Sequence, residues 1–213
     1  MSSSFDESSL IQSAQRGDLE AFNVLVDRYQ NLVFRIALRM LGNEDDAADA
    51  SQLAWISAFR KIHELRGTRL RTWLARVVVN TCYDEIRRQH RRREVPLLPV
   101  KSEGEEAEAA FWMADPAPGV EESVDTEEFD RTIQACLQSL APVYRTMLIL
   151  VDIEGLTYEE AAMAARVPLG TVRSRLARAR LALRERLQER SDLLPTRRRF
   201  QIPQAGQARM RCP

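Results

Sequence analysis

At 213 residues and 45% hydrophobic, the chain is long enough for one domain or two small ones with real cores. Its 31 basic and 31 acidic residues cancel, a balance that by composition alone argues against a nucleic-acid partner, and only two histidines are present to serve hydrolytic chemistry. Cys82, Cys136 and Cys212 have no close pairing and only His63 and His90 to join them, which excludes a disulfide framework and a zinc site and points to a reducing cytoplasm; no metal or cofactor is expected.

Met1 to Ser9 lacks the charged start and apolar run of a signal peptide, and no stretch approaches the roughly 18 to 20 apolar residues of a membrane span. From Asp6 a short helix is predicted to Arg16, then a longer one from Asp18 to Leu41, with Phe22, Leu25, Tyr29, Leu32, Val33 and Ile36 at helical spacing. A third runs from Glu44 to about Leu65. Its first turns hold Glu44, Asp45, Asp46 and Asp49, negative charge at the positive end of a helix dipole. After a loop at Arg66 to Leu70, a helix from Arg71 to Arg93 is apolar at Trp73, Leu74, Val77, Val78 and Ile86 and grows basic through Arg87, Arg88, Arg91, Arg92 and Arg93. Trp73, beside Leu74 and Val77, reads as core.

Residues 94 to 125 hold Pro96, Pro99, Pro116 and Pro118 among acids and alanines, the composition of a flexible linker. Within them Phe111-Trp112-Met113 is an apolar island with two readings open, docked or solvated. A second helical unit follows from 126 to 190, opening with Phe129, Ile133, Leu137 and Leu140 on one face; 191 to 213 form a basic, proline-containing tail expected to be disordered. All eight glycines fall between helical segments and no proline precedes Pro96, so the fold class is all-α, with two small helical domains (6–93 and 126–190) joined by the acidic linker.

The most specific pattern lies in the second unit. Pro142 suits a helix start, Gly155 a helix end, and Thr157 with Glu160 forms a capping box for a short helix. A tight turn at Arg166 to Gly170 leads into a basic helix whose Val172, Leu176, Ala179 and Leu183 make an apolar stripe. Ser174, Ala177 and Arg178 share the opposite face at i, i+3 and i+4, the spacing that reaches one stretch of major groove, while Arg173, Arg175 and Arg180 flank them where phosphates would lie. This is a helix-turn-helix pattern, with DNA as the expected partner. The charge is sorted accordingly. Residues 60 to 93 carry eleven Lys or Arg against three acids, and residues 94 to 130 carry twelve acids against Lys101 alone, so two basic helical surfaces are separated by a segment that DNA would repel.

With both halves in view, the chain resembles the extracytoplasmic-function group of bacterial sigma-70 factors. The resemblance rests on residues 46 to 59 (DAADASQLAWISAF), on Arg71-Thr-Trp-Leu-Ala-Arg with Asn80 to Arg88, on Leu156-Thr-Tyr-Glu-Glu-Ala-Ala, and on residues 167 to 180. It implies a protein that is not an enzyme but binds core RNA polymerase and directs it to promoters. By residue, it implies that Asp49, Gln52 and Leu53 face the clamp of the beta-prime subunit. Arg76, Asn80, Arg87 and Arg88 would lie along minus-ten DNA, and Arg173, Ser174, Arg175, Ala177 and Arg178 along the minus-thirty-five element. The beta flap and an anti-sigma factor are further implied partners. Several positions depart from the family pattern: a loop after Gly67 one residue short, Leu53 where an acid is common, Ala161 and Ala165 where larger aliphatics are common, and Arg166 where glycine often turns the chain. The competing reading is a stand-alone two-domain helix-turn-helix regulator. It would have no use for the Asp49 and Gln52 face.

Overall fold

A computed structural model describes residues 7–67, 69–93 and 125–189. The island at Phe111 to Met113, the linker around it and the tail from 191 onward lie outside the described residues.

The first half is four helices: α1 (Glu7–Gln15), α2 (Leu19–Leu41), α3 (Glu44–Lys61) and, after a 3-10 turn at Ile62–Glu64, α4 (Leu70–Arg93). The boundaries follow capping chemistry. Asp18 accepts from the backbone N–H groups of Glu20 and Ala21 at the start of α2, and Asn43 accepts from that of Asp46 at the start of α3. Between them Gly42 takes φ +80, a left-handed cap that a side chain would strain. The predicted stripe of α2 is buried at Phe22, Leu25, Leu32, Val33 and Ile36, and it packs on an alanine face of α3 formed by Ala47, Ala50, Ala54 and Ala58. Small residues there let the helices approach closely, while Phe22 meets Trp55 and Phe59 edge to face at centroid distances of 6.0 and 5.0 Å. From α4, Leu74, Val78, Cys82 and Ile86 close the core; Trp73 is only partly buried, at the edge of it. Burial pushes the Cys82 thiol up to about 12, so it is an inert core residue.

The second half comprises α5 (Asp125–Gln138), α6 (Pro142–Met147) running on as a π-helical turn at Leu148–Ile153, α7 (Tyr158–Ala165) and α8 (Leu169–Glu189). Pro142 stands in the first turn of α6, and Thr157 and Glu160 make the capping box of α7 from both sides. Gly170 sits inside the first turn of α8 rather than ahead of it as the sequence led us to expect, because Pro168 already supplies the carbonyl that begins the helix. Val172, Leu176 and Ala179 are buried against α6 and α7, with Leu183 partly covered.

The tandem arrangement expected from the sequence, two helical units in series, is present, but the units are packed together: α2 meets α5 and α6, and α4 lies along α7. The buried residues of both form one continuous cluster. Polar contacts hold the seam. Every helix leaves its last carbonyls without partners, and those of α2 are taken up by side chains of the second half. Gln134 donates to Leu38 O (3.1 Å), Gln138 to Arg39 O (3.1 Å), and the buried Arg145 to Met40 O. Arg145 also donates to Gln138 O (2.7 Å) and Leu140 O (3.0 Å); burial lowers its pKa to about 10, still far enough above neutrality to keep the charge that a helix C-terminus favours.

Candidate nucleic-acid and polymerase interface

Three sets of side chains were expected to form the site, and each is positioned by helix periodicity. On α3, Asp49, Gln52 and Leu53 all point to solvent while Ala50, Ser51 and Ala54 between them are buried, so the three share the outer face. Ile56 extends that face. Leu53 is 54% and Ile56 49% exposed, an apolar pair beside an acid and an amide, which gives the face a sticky centre with polar neighbours. Ile56 was legible in the sequence as an apolar residue at i+3 from Leu53; only burial shows that it faces outward.

On α4 the four expected residues divide. Arg76 and Asn80, one turn apart, line a common cavity of about 150 Å³ with Lys61, Trp73 and Thr81. Asn80 is exposed and can donate and accept at once, which suits a base edge; Arg76 and Lys61 supply positive charge for phosphate. Arg87 continues the same face three turns on, held by Asp84 at 3.3 Å. Arg88 turns away. It donates to Glu85 at 2.7 Å, and the nearby Asp46 and Asp49 further raise its pKa after that bond, so it belongs to the acid-rich side shared with α3. The structure thus gathers Arg76, Asn80 and Arg87 and places Arg88 apart from them. Trp73, expected as core, packs half-buried against the core cluster and also borders the cavity.

On α8 the expected outer set is together: Arg173, Ser174, Ala177 and Arg178 are exposed and Arg175 is half-buried. Ser174 donates to Thr171 O at 3.1 Å, which fixes its rotamer and leaves its lone pairs outward. Arg180, expected to flank DNA, is already engaged: its guanidinium donates twice to Asp152, at 2.6 and 2.9 Å, and that bond is the main reason its pKa is raised. It therefore ties α8 to the π-helical turn. Arg166 holds the α7–α8 turn at φ 54, the one non-glycine residue with positive φ among the described residues, so the costlier turn anticipated there is real. Its side chain borders the Arg76–Asn80 cavity from the other half.

The seam residues are the ones sequence reasoning missed. Arg35 of α2 donates twice to Glu154, at 2.8 and 3.1 Å; the Glu154 side chain is only 2% exposed, and its own carbonyl accepts from Arg71. Thr72 donates to Glu160 at 3.2 Å, and Tyr83 and Thr146 share a hydroxyl bond of 2.9 Å. The signal available was an acid, Glu154, next to the helix-ending Gly155, which by itself reads as a solvated residue. Among the described residues no group of three or more His, Cys, Asp or Glu stands within reach of one metal ion, and no helix is long and apolar enough to cross a membrane.

Comparison with known proteins agrees with this division. The model of sigma-70 region 2 matches residues 25–92 and that of sigma-70 region 4 matches residues 130–183, so α4 falls in the first and the α7–α8 pair in the second. The chain is 34% identical over 184 residues to the RNA polymerase sigma-H factor of Pseudomonas aeruginosa, covering 84% of this chain and 92% of that one. It is likewise 34% identical over 193 residues to the ECF RNA polymerase sigma-E factor of Escherichia coli, covering 88% and 97%. Among solved structures, the sigma factor RpoE of Bartonella quintana, crystallised with the anti-sigma factor NepR, shares the fold with a TM-score of 0.60 at 23% identity, over 80% of this chain and 98% of that one. With such identity sustained across almost the full length of its relatives, the chain belongs to the extracytoplasmic-function group of the sigma-70 family, the RNA polymerase sigma factors that direct transcription initiation.

Proposed function

We propose that the three surfaces divide the work of initiation. The outer face of α3, with Asp49, Gln52 and Leu53, seats the chain on the clamp of core polymerase. Arg76, Asn80 and Arg87 of α4 follow the minus-ten strand, and Arg88 buttresses the clamp face. On α8, Ser174, Ala177 and Arg178 read the minus-thirty-five major groove while Arg173 and Arg175 hold its phosphates. The units run from 6 to 93 and from 126 to 190, with 94 to 125 as tether; the chain works in the cytoplasm, has no catalytic role of its own, and takes an anti-sigma factor as a partner, a reading supported by the Bartonella neighbour, which was crystallised in complex with one.

The observation that carries this reading is the outward face of α3. An acid, an amide and two apolar side chains stand together in solvent on a helix whose opposite face is fully packed, and a stand-alone DNA-binding regulator has no need of it. Replacing Asp49 and Gln52 together with Ala is expected to abolish co-purification with core polymerase while leaving the helical circular dichroism unchanged. Retained association would remove the face from the polymerase interface.

A further inference from the structure

We propose that Asp152 and Arg180 are a positioning pair that sets the rotation of α8 about its own axis, and so the register in which Ser174, Ala177 and Arg178 meet the bases of the upstream element; this rests on the assignment of those three residues above. The need for such a pin follows from how α8 is otherwise held. Val172, Leu176 and Ala179 are buried against α6 and α7, but apolar contact is non-directional and fixes the depth of a helix better than its rotation. Rotation matters to base reading. A turn of about 20° carries a side-chain tip about 6 Å from the axis through about 2 Å, enough to break a hydrogen bond to a base edge.

The geometry supplies the pin. Arg180 lies about a third of a turn round α8 from the centre of the reading face, rigidly coupled to that face yet off to its side. Its guanidinium donates from Nε and from a terminal nitrogen to the two oxygens of Asp152, at 2.9 and 2.6 Å, and a two-pronged bond of this kind fixes a plane as well as a distance. Asp152 sits in the π-helical turn Leu148–Ile153, whose Leu148, Ile149 and Leu150 are buried, so the acceptor is mounted on the core. Tyr158, in the first turn of α7, is a smaller contributor to holding the Arg180 charge, which brings α7 into the same node. Arg180 and Asp152 are 51% and 33% exposed, where an ion pair contributes little stability; what it adds is direction. Arg173, Arg175 and Arg178 form no ion pair among the described residues, so the pin engages Arg180 and leaves the expected DNA-facing arginines free. All the members of the node belong to the second half, so it travels with that unit.

The test uses the full-length chain with core RNA polymerase and two duplexes: a promoter selected from a randomised pool by the wild-type holoenzyme, and the same duplex with its upstream element scrambled. Arg180→Lys keeps the charge but loses the fork. Asp152→Asn removes a negative charge near DNA, so electrostatics alone would tighten both complexes, whereas the pin predicts weaker binding of the selected one. Each variant should lose about tenfold of the preference for selected over scrambled duplex. Arg180→Lys should leave the affinity for the scrambled duplex and its salt dependence unchanged, and the double variant should be no worse than either single one. Unchanged preference in both single variants would overturn the pin, as would additive losses in the double variant. Loss of binding to both duplexes by Arg180→Lys would reduce the pair to a prop of the fold. Tighter binding of both duplexes by Asp152→Asn, with a steeper salt dependence, would make Arg180 a phosphate contact instead. Arg178→Ala tests the reading face separately: preference that survives this change while falling in the pin variants would leave the pin standing and overturn the assignment of Arg178.

Discussion

Arg178 stands four residues from Ser174 and one from Ala177 on the solvent side of α8, and among the described residues no ion pair holds its guanidinium. That separates it from Arg180, whose charge is spent on Asp152. A guanidinium free to fork toward a guanine edge contributes about 1 to 3 kcal/mol of discrimination between bases. Arg178→Ala is thus expected to relax sequence preference at the upstream element by about tenfold or more, read out by selecting randomised promoters with reconstituted holoenzyme. Arg180→Ala should instead loosen the anchoring of α8. The outer set of α8 was fully legible in the sequence, because a helix that packs one stripe necessarily exposes the opposite one. The engagement of Arg180 was not, since Asp152 is far from it in the chain.

At the level of the element, α7 is short, and so depends heavily on its start. Thr157 accepts from Glu160 N–H, and the Glu160 carboxylate accepts from Thr157 N–H at 2.9 Å, a reciprocal pair that satisfies two otherwise unpartnered donors. Thr157→Ala should cost about 1 kcal/mol. In a chain of this size that lowers the melting temperature by about 3 °C, measurable by calorimetry. The Glu160 carboxyl is held below its ordinary range, first by the backbone bond from Thr157 and then by Thr72 and the nearby Arg71. A carboxyl whose folded pKa is depressed stabilises the fold at pH above its unfolded pKa, and that contribution is lost as pH falls through the folded value. Glu160→Gln should therefore flatten the fall in stability below about pH 4.5. The capping box was visible as a spacing of three residues; that Thr72 of the other half completes it was not.

Across the whole molecule, one apolar cluster runs through both halves, and the last carbonyls of α2 depend on Gln134, Gln138 and Arg145 from the second half. Unfolding the second half alone would strip those carbonyls of their partners, and unfolding the first would cost the buried Arg145 its bond to Met40 O. In the absence of polymerase the described body is expected to unfold in one step, so urea transitions of a Trp112→Phe chain followed by tryptophan fluorescence, then reporting Trp55 and Trp73 of the first half, should coincide with those from far-UV circular dichroism. Two resolved transitions would show that the seam contributes too little to couple the halves. Gly42 adds a local constraint to the same seam: a Cβ there would sit 2.7 Å from the Gln138 side chain, so the turn between α2 and α3 and the docking of α5 are set by one small residue.

The sequence by itself determined the helices, their caps, the buried stripe and outward face of each, and the family, because those depend on spacing of three and four residues, on local hydrogen bonds and on contiguous motifs. Tertiary structure alone decided that the two units close on one another, that Arg180 is engaged by Asp152, and that Glu154 is buried against Arg35. Those outcomes depend on residues that meet from separate helices, 28 positions apart for Asp152 and Arg180 and 119 for Arg35 and Glu154, and periodicity within a helix carries no information about the side chain that will arrive from elsewhere to satisfy it.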